Sequence, residues 1–513
     1  MTHSFCYDED RAVVKTDKGP VRGYIYDGIS IFKGIPYGRA ERFRSPEETE
    51  TWTEPFDATN FGCVPMIEEP ERPDNEIMVP HRFWPMSEDC LNLNIWTPGT
   101  DDKKRPVMLW IHGGGFVNGS AIEQDVYDGM NAATVGDVVF VSVNHRLNIL
   151  GLSDLSKLGD EFKNTPNLCM EDLVLALKWV RRNIALFGGD PDNVTLFGQS
   201  GGGGKIATLM QMPAADGLYH KAVIISGLMT TSRAVQPDRS YVPVEAMKEL
   251  HISTFEELQK VPYKELFDAF MKVSDRAAFR VFPWKNDYFL GYPTTYPFRE
   301  ETANIPLLTG TVFGESNPFR EIPANKQKLT REEEYEKLVR MIGREGADVL
   351  VPLFEKAYPG RHIIDILYLE CFRRSLVKSY TKERSKFGPN TYQYVFDYDF
   401  PLNGGCPPWH CSDIPFFFHD CCLAPYTQGE GAGLLEDRMF ESVLRFMKTG
   451  NPATEDLPYK PVTPGDSNTM ILGTKPEVRN NYDDELLPAI EKYVIPVMEE
   501  YFKNLKVKRK TRS

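Results

Sequence analysis

Two near-continuous apolar runs, 107–111 and 138–143, constrain the fold of this 513-residue chain more than any other feature. Runs without polar alternation are typical of strands that are buried on both faces, as in parallel sheets. Between 171 and 187 the apolar residues recur at steps of three and four, which predicts one buried face of a helix. Another apolar run, 194–197, follows after a turn. This order predicts an α/β protein whose large, mostly parallel central sheet is covered by helices.

The rest of the chain continues the alternation and shows no sign of a second domain. Further strands are predicted at 222–225, 306–311 and 391–396. No internal repeat, low-complexity tract or Gly/Ser linker divides residues 1–513, so we expect a single domain. The stretch 232–301 is rich in aromatic residues and prolines and fits the alternation poorly. We interpret it as an insertion over the sheet.

The charge and the N-terminal residues exclude several classes of protein. Lysine and arginine total 59 and aspartate and glutamate 73, and this net charge of −14 repels phosphate backbones, so we expect no nucleic-acid partner. No run approaches the ~18 apolar residues that a membrane helix needs, so we expect no membrane span. Residues 1–10 lack the basic start and the apolar stretch of a secretory signal. We therefore expect a cytoplasmic protein.

The nine cysteines are an odd number in a long chain, which does not indicate a disulfide scaffold. We expect most of them to be reduced thiols. Four lie close together and raise the question of a zinc site: Cys406, Cys411, Cys421 and Cys422. Their spacing lacks the two CxxC or CxxH half-sites of a structural zinc site, so no metal site is predicted.

A G-x-S-x-G motif at 198–202 places Ser200 between glycines. It follows the predicted strand 194–197 and precedes a predicted helix at 205–210, which is the strand–turn–helix setting of a nucleophile elbow. The flanking glycines permit a turn too tight for a Cβ atom, and this turn lifts the serine hydroxyl above the sheet edge. The helix N-terminus favours developing negative charge. Ser200 is therefore predicted to be a nucleophile rather than an idle serine in a glycine-rich turn.

A second glycine motif, 112–116, directly follows the predicted strand that ends at Ile111. Three consecutive glycines leave the backbone free to approach a ligand and to point two N–H groups at one oxygen. An acyl-transfer enzyme needs that geometry for the oxyanion of its tetrahedral intermediate. The N–H of Gly201, just after the nucleophile, would supply a third donor. We interpret the motif as an oxyanion loop rather than a merely flexible loop.

A serine nucleophile also needs a base and an acid that orients this base, and in this architecture both follow the serine, acid first. Among nine histidines, His410 lies in a loop after a predicted strand, where such sites are built, and His419 is the alternative. Glu315 follows another predicted strand and is the candidate acid. Asp397 and Asp399 are alternative acids of the same kind.

Together with further motifs, these residues resemble the type-B carboxylesterases, a family that includes the cholinesterases and bacterial nitrobenzyl esterases. The resemblance covers nearly the whole chain, and its motifs occur in the family's order at 32–37, 42–46, 87–95, 112–116, 143–147, 183–191, 198–202, 226–227, 314–316 and 410. Several long motifs in the correct order make the match specific. The resemblance implies an α/β-hydrolase fold with no metal or organic cofactor.

The resemblance also implies the catalytic machinery, namely a triad, three oxyanion donors and a buried serine beside the triad. The triad is Ser200, Glu315 and His410, the oxyanion donors are Gly114, Gly115 and Gly201, and the buried serine is Ser226. The chain departs from the family pattern next to the nucleophile, where the family usually has glutamate before it and alanine after it. Here Gln199 and Gly201 occupy these positions. Neither change removes a catalytic group, because the donor after the serine is a backbone N–H.

Two structural pairs are implied by the same resemblance. Glu88 and Arg146 match a structural ion pair of the family. Cys63 and Cys90 match a disulfide of its secreted members, and because no secretory signal is visible, the sequence leaves open whether this bond forms here.

These residues predict a serine hydrolase that cleaves carboxylic esters through an acyl-enzyme, with a small-molecule ester as its partner and the 232–301 insertion over the site. An amidase, a carbamate hydrolase and a lipase are alternatives on the same site. A non-catalytic binding protein on this fold is disfavoured, because all three triad residues are present. The sequence leaves both a monomer and a homodimer open.

Aromatic residues are predicted to line the pocket of a medium-sized, largely apolar ester, and the candidates are Trp84, Phe416 and Phe417. Trp84 lies in the region where cholinesterases carry a cation-binding tryptophan. Its spacing of six residues from Cys90 does not match that branch closely. We therefore expect matched choline and neohexyl esters to be hydrolysed with similar efficiency.

Overall fold

The computed structural model describes residues 3–7, 10–68, 78–229, 238–274, 282–293, 296–315 and 325–497. The strands within them are, in chain order, β1 (Phe5–Cys6), β2 (Val13–Lys15), β3 (Pro20–Arg22), β4 (Tyr24–Tyr26), β5 (Ile29–Pro36), β6 (Phe56–Asp57), β7 (Asn92–Thr97), β8 (Arg105–Ile111), β9 (Val139–Val143), β10 (Gly189–Gln199), β11 (Lys221–Ile225), β12 (Leu307–Val312), β13 (Thr391–Phe396), β14 (Thr469–Leu472) and β15 (Glu477–Arg479). Each strand that the apolar runs predict is present, with ends shifted by a few residues at most, apart from β10, which starts five residues earlier.

Twelve of these strands form one sheet in the order β1-β4-β5-β7-β9-β8-β10-β11-β12-β13-β14-β15. The seven strands from β9 to β14 in that order are parallel to one another. The pairs at both ends of the sheet are antiparallel. The remaining strands β2, β3 and β6 form a small separate sheet. The predicted α/β architecture with a large, mostly parallel sheet is confirmed.

The helices of the described residues cover this sheet. They are α1 (Met130–Gly136), α2 (Asn148–Leu152), α3 (Leu168–Asn183), α4 (Gly201–Leu209), α5 (Tyr241–Glu249), α6 (Phe255–Lys260), α7 (Tyr263–Val273), α8 (Glu300–Ala303), α9 (Arg331–Ala357), α10 (Phe372–Arg384), α11 (Ile414–Phe418), α12 (Ala432–Thr449) and α13 (Leu486–Tyr493). Helix α3 and the 3₁₀ turn that follows it correspond to the predicted helix at 171–187. Within the described ranges, none of the helices combines the length and the apolar character needed to span a bilayer.

The central strands are buried on both faces, and alternate residues of a strand belong to different cores. In β8, Val107, Leu109 and Ile111 pack in the same core as residues of α3 and α4. Met108 and Trp110 point to the other face and pack in the core that contains residues of α11 and α12. Because every position of such a strand is buried, the sequence shows a continuous apolar run instead of an alternating one.

The described part of the stretch 232–301 is largely helical, which its aromatic and proline content did not predict. Its helices α5 and α7 share a core with Phe43, Ile149 and Leu150 from earlier in the chain. Residues 232–237, 275–281 and 294–295 of this stretch lie outside the described residues.

Parallel strands end at the same edge of a sheet, and the register of this sheet shows which loops meet there. Gly198 of β10 pairs with Ile111 of β8, and Gln199 pairs with Ile225 of β11. Val312 of β12 pairs with Phe396 of β13. The loops that follow these strands carry the predicted oxyanion glycines and the predicted triad, so the fold brings them to one edge.

Candidate active site

Ser200 occupies the sharp turn between β10 and α4. Its φ and ψ are 53° and −119°, which is a strained conformation for a residue with a Cβ atom. Its backbone N–H donates to the carbonyl of Ile225 over 2.8 Å. A Cβ atom on Gly202 would lie 2.0 Å from the carbonyl oxygen of Ile111, so only glycine fits at this position. The G-x-S-x-G motif therefore forms the strand–turn–helix elbow that its context predicts.

The loop after β8 brings further backbone groups next to this serine. Gly115 and Gly201 line the same cavity as Ser200. A Cβ atom on Gly201 would lie only 2.5 Å from the Gly115 nitrogen, so a glycine at 201 lets the two backbones approach closely. The carbonyl of Gly114 accepts the N–H groups of Val117 and Asn118 over 3.1 and 3.0 Å, which curls the loop. The Gly115 nitrogen therefore lies close against the Gly201 backbone, an arrangement that suits an oxyanion hole.

Glu315 and His410 form a hydrogen-bonded pair between the loops after β12 and β13, with His410 Nδ1 donating to the carboxylate. Two backbone bonds tie the loops together: the His410 N–H donates to the Glu315 carbonyl over 3.3 Å, and the Gly314 N–H donates to the Pro408 carbonyl over 3.0 Å. The other carboxylate oxygen of Glu315 accepts the N–H of Val312 over 3.1 Å. These contacts hold the carboxylate and the imidazole in a defined orientation.

The outward nitrogen of His410 contacts Gln199, the residue before the nucleophile. The Gln199 side-chain amide donates to His410 Nε2 over 3.1 Å. A proton on Nδ1 leaves a lone pair on Nε2, which is the tautomer that a general base needs. Within the described residues, Ser200 Oγ makes no hydrogen bond, and catalytic hydrogen bonds commonly form only once the substrate is bound. The sequence analysis did not anticipate this role of Gln199.

The charge state of Glu315 is set by its neighbours. Burial raises the pKa of this carboxyl, but the adjacent His410, the Arg373 guanidinium and the Ser226 hydroxyl together hold its pKa below the ordinary value. Arg373 Nε lies 3.8 Å from the carboxylate. Glu315 is therefore ionised at neutral pH and stabilises a positive charge on the imidazole.

Two more buried carboxyl groups lie in this region. Burial and the charge of Glu315 raise the pKa of Glu370 to about 7. The same two causes raise the pKa of Asp413 to about 7, and the hydroxyl of Tyr394 donates to Asp413 over 2.9 Å. Because these two groups hold their protons more readily than ordinary carboxyl groups do, negative charge near the imidazole is concentrated on Glu315.

Lys205 is a buried residue beneath the 112–116 loop, and the sequence analysis missed it. Its Nζ donates to the carbonyl of His112 over 3.1 Å and lies 5.5 Å from the centre of the Phe116 ring. Burial lowers its pKa to about 8, and the neighbouring Cys169 and Glu123 offset this effect in part. The signal was a lysine in an otherwise apolar helix, five residues after Ser200.

A cavity of about 160 Å³ opens beside Ser200. Its apolar wall consists of Phe116, Leu228, Met229, Phe282, Phe372 and Leu376. The predicted pocket residues lie elsewhere. Phe416 and Phe417 are fully buried in the core on the far face of the sheet, because they form the inward face of α11. Trp84 packs edge-on against Phe61, with ring centroids 5.8 Å apart.

The alternative triad residues have other partners. His419 Nε2 lies 3.0 Å from a carboxylate oxygen of Asp437, away from Glu315. Asp397 and Asp399 both pair with Arg361. Of the candidates for the base and the acid, the structure pairs Glu315 with His410, and the His410 ring contacts Gln199, the residue before Ser200. Ser316, which follows Glu315 in the motif, lies outside the described residues.

The ion pair implied for Glu88 and Arg146 is wrong. Arg146 donates to the two oxygens of Asp172 over 2.6 and 2.9 Å in a buried contact, and Glu88 pairs with Arg42 instead. Asp172 lies on α3, and the docking of that helix beside the end of β9 decides the partner.

None of the nine cysteines is paired in a disulfide in the structure, Cys63 and Cys90 included. In the described part of the chain, no group of three or more Cys, His, Asp or Glu side chains is arranged to hold a metal ion.

Comparison with known proteins places these observations in a family. A sequence model of the carboxylesterase family matches residues 10–488. This chain belongs to the carboxylesterase family. It is 31% identical to the para-nitrobenzyl esterase of Bacillus subtilis over 502 residues, which cover 92% of this chain and 97% of that enzyme. It is 29% identical to the phenmedipham hydrolase of Pseudarthrobacter oxydans, covering 90% of this chain and 95% of the relative.

Solved structures agree with this assignment. An esterase from Clostridium hathewayi, described as able to hydrolyse aliphatic aromatic polyesters, superposes with a TM-score of 0.91 at 42% identity, covering 96% of this chain and 100% of that one. The carboxylesterase described here is therefore a carboxylic ester hydrolase with the α/β-hydrolase fold, as the resemblance implied. Its substrates are small-molecule esters.

Proposed function

We propose that Ser200 is the nucleophile, His410 the general base and Glu315 the acid that orients it. The hydrogen-bonded Glu315–His410 pair beside the strained Ser200 elbow carries this proposal. Ser200 Oγ attacks the ester carbonyl while His410 Nε2 takes its proton, once the amide of Gln199 has released that nitrogen. The imidazolium then gives this proton to the leaving alcohol, and the acyl group stays on Ser200.

The oxyanion of each tetrahedral intermediate is proposed to accept the backbone N–H groups of Gly114, Gly115 and Gly201. The proximity of the Gly115 and Gly201 backbones supports this role. Loss of one such donor typically raises a barrier by about 3–4 kcal/mol. Water then attacks the acyl-enzyme while His410 takes a proton from it. The imidazolium returns this proton to Ser200 Oγ as the bond between the acyl carbon and Oγ breaks, and the carboxylic acid leaves. The buried Ser226 supports the triad through Glu315, whose pKa it helps to lower.

Esters with a short or ring-sized acyl group are the proposed substrates. A cavity of about 160 Å³ is close to the roughly 150 Å³ that holds a benzene molecule. Among 4-nitrophenyl esters, we expect kcat/KM to peak at acyl chains of two to six carbons and to fall for chains of ten or more. A peak at long chains would instead favour a lipase.

Substitution of the nucleophile tests the proposal directly. Ser200→Ala is expected to lower kcat for 4-nitrophenyl butyrate by more than about 10⁴-fold, the scale of other triad deletions, and to abolish labelling by a fluorophosphonate probe. Ser156→Ala changes an exposed serine that is not among the described lining residues of the cavity, and this matched control is expected to keep both. Circular dichroism checks that each variant is folded. Labelling of the Ser200→Ala variant would show that another residue is the nucleophile.

We also propose that residues 1–513 act as one domain, with 232–301 covering the site, and that the protein works in the cytoplasm. Phe282 supports the covering role, because it lines the cavity and packs edge-on against Phe116 with ring centroids 5.7 Å apart. Nine free thiols support a reducing compartment. Cell fractionation with an antibody tests the location, and limited proteolysis tests whether a fragment separates as a folded unit.

A further inference from the structure

Arg373 introduces a positive charge into the cavity beside Ser200. It lies on the first turn of α10, and it is the one charged side chain among the described residues that line this cavity. Its side chain is 36% exposed and lines the cavity. Its effect on the pKa of Glu315 is one role of this guanidinium, and its position on the cavity wall suits it to a second.

The known contacts of Arg373 leave part of its guanidinium free. Nη1 donates to the carbonyl of Ser226 over 3.4 Å, and Nε lies 3.8 Å from the Glu315 carboxylate, which is beyond hydrogen-bond distance. Within the described residues, Nη2 makes no hydrogen bond. The backbone N–H of Arg373 is separately satisfied by the carboxylate of Glu370 over 2.7 Å. The free N–H groups therefore belong to the side chain that borders the cavity.

Structural arginines in this protein look different. Arg374, the next residue, is 2% exposed and donates to Asp483 over 2.8 Å. Arg146 is 3% exposed and makes two hydrogen bonds with Asp172. Both have a carboxylate within hydrogen-bond distance and no access to the cavity. By contrast, the Arg373 side chain is accessible, and its Nη2 has no hydrogen-bond acceptor among the described residues.

We propose that Arg373 binds a carboxylate of the substrate, so that this carboxylesterase hydrolyses half-esters of dicarboxylic acids. The proposal rests on the function proposed above for Ser200. A guanidinium pairs with a carboxylate through two parallel hydrogen bonds, which makes arginine the residue suited to this task. The apolar wall of the cavity matches the short chain or ring that separates the two carboxyl groups of such a substrate.

The free carboxylate belongs on the acyl side of the ester. His410 must face the leaving alcohol, because it returns a proton to that oxygen. The described lining of the cavity contains Ser200, Gly115 and Gly201 but not His410, so the cavity extends away from the leaving group. A cavity of about 160 Å³, close to the roughly 150 Å³ that holds benzene, has room for the short chain between the carboxyl groups of a four- to six-carbon dicarboxylate.

The test compares two esters that differ only in the distal group, monoethyl adipate and ethyl hexanoate, with hydrolysis followed in a pH-stat. Arg373→Gln is expected to lower kcat/KM for monoethyl adipate by about 10- to 100-fold, the scale of a charge-assisted hydrogen bond. Because Arg373 also helps to hold the pKa of Glu315 low, kcat/KM for ethyl hexanoate is expected to fall as well, but by a factor at least about fivefold smaller than for monoethyl adipate. Arg373→Lys should keep part of the preference. Arg181→Gln removes an exposed arginine elsewhere and should change neither value.

Equal losses for the two esters in Arg373→Gln would overturn the proposal and show that Arg373 only supports Glu315. A second measurement uses the wild-type enzyme, so it does not depend on a variant that folds. Adipate should slow fluorophosphonate labelling of Ser200 at concentrations at least tenfold lower than 1,6-hexanediol. Equal protection by the two compounds would refute the subsite.

The proposed function can fail independently. If Ser200→Ala still hydrolyses ethyl hexanoate at the wild-type rate, the assignment of the nucleophile is wrong. If Ser200→Ala is inactive while Arg373→Gln has the wild-type kcat/KM for both esters, only the proposal of the carboxylate subsite is wrong.

Discussion

The two sides of Ser200 are constructed from different parts of the chain. On one side, which we call the backbone side, Gly115 and Gly201 contribute peptide nitrogens from two tight turns. On the other, the side-chain side, Glu315 and His410 contribute functional groups that are 95 residues apart in sequence. The backbone side depends on local geometry that glycines permit. The side-chain side depends on two loops being docked against each other by backbone hydrogen bonds.

This difference explains how each side tolerates change. The backbone donors require only that no Cβ atom intrudes, so the substitution of the family's alanine by glycine at 201 preserves them. The side-chain side requires a specific donor or acceptor atom at each position. The charge of Glu315 also depends on its neighbours, because His410 and Arg373 lower its pKa. Substitutions on the side-chain side should therefore have the larger effects on turnover.

The largest effect is expected on the side-chain side, from removal of the base. His410→Ala is expected to lower kcat for 4-nitrophenyl butyrate by about 10³- to 10⁵-fold, because Ser200 then has no proton acceptor. The control His419→Ala removes a histidine that contacts Asp437 at the surface, and it should keep kcat within about twofold. A loss of activity in His419→Ala alone would contradict the assignment.

A smaller effect is expected on the backbone side, from the cation beneath it. Lys205→Met removes the donor to the His112 carbonyl, and an unsatisfied buried carbonyl costs about 1–3 kcal/mol. We expect kcat to fall by about 10-fold, since the oxyanion loop loses this support. Lys178→Met, an exposed lysine on neighbouring α3, is the control. An unchanged kcat in Lys205→Met would show that the glycine turns hold the loop by themselves.

The buried acid Asp413 is expected to affect stability according to pH. Its pKa in the folded protein, about 7, lies above the ordinary value near 3.8, so between these values the folded state holds the extra proton. The free energy of unfolding therefore falls as the pH rises through this window. Between pH 5 and pH 8, the free energy of unfolding of the wild type should fall by about 2 kcal/mol more than that of Asp413→Asn.

Denaturant unfolding at pH 5, 6, 7 and 8 measures this difference. The control Asp102→Asn changes an exposed aspartate and should keep the wild-type slope. Parallel curves for Asp413→Asn and the wild type would show that Asp413 is ionised in the folded protein.

The smallest effect is expected for the alcohol side of the substrate. Trp84 packs against Phe61 and is absent from the described lining of the cavity next to Ser200. A choline ester should therefore gain no cation–π contact there, and its kcat/KM should lie within tenfold of that of the matched neohexyl ester. A larger preference for the choline ester that Trp84→Ala abolishes would place Trp84 in the substrate site.

Most of the correct predictions from the sequence came from motifs of contiguous residues. The apolar runs identified the parallel strands, because strands buried on both faces have no polar face to interrupt the pattern. The glycine motifs identified the Ser200 elbow and the tight turn that follows β8, because a tight turn or a close backbone approach leaves only glycine. The helices of 241–273 were missed, since their apolar residues did not stand out in a stretch rich in aromatic residues and prolines.

The sequence by itself determined the α/β fold, the Ser200 elbow and a short set of candidates for the base and the acid. Only the tertiary structure decided that Glu315 meets His410, that Arg146 pairs with Asp172 and that Phe416 and Phe417 lie in the core. It also revealed Lys205 and Arg373 beside the site. The physical reason is range: turns and strand burial act over a few residues, whereas contacts between distant side chains depend on how whole elements dock.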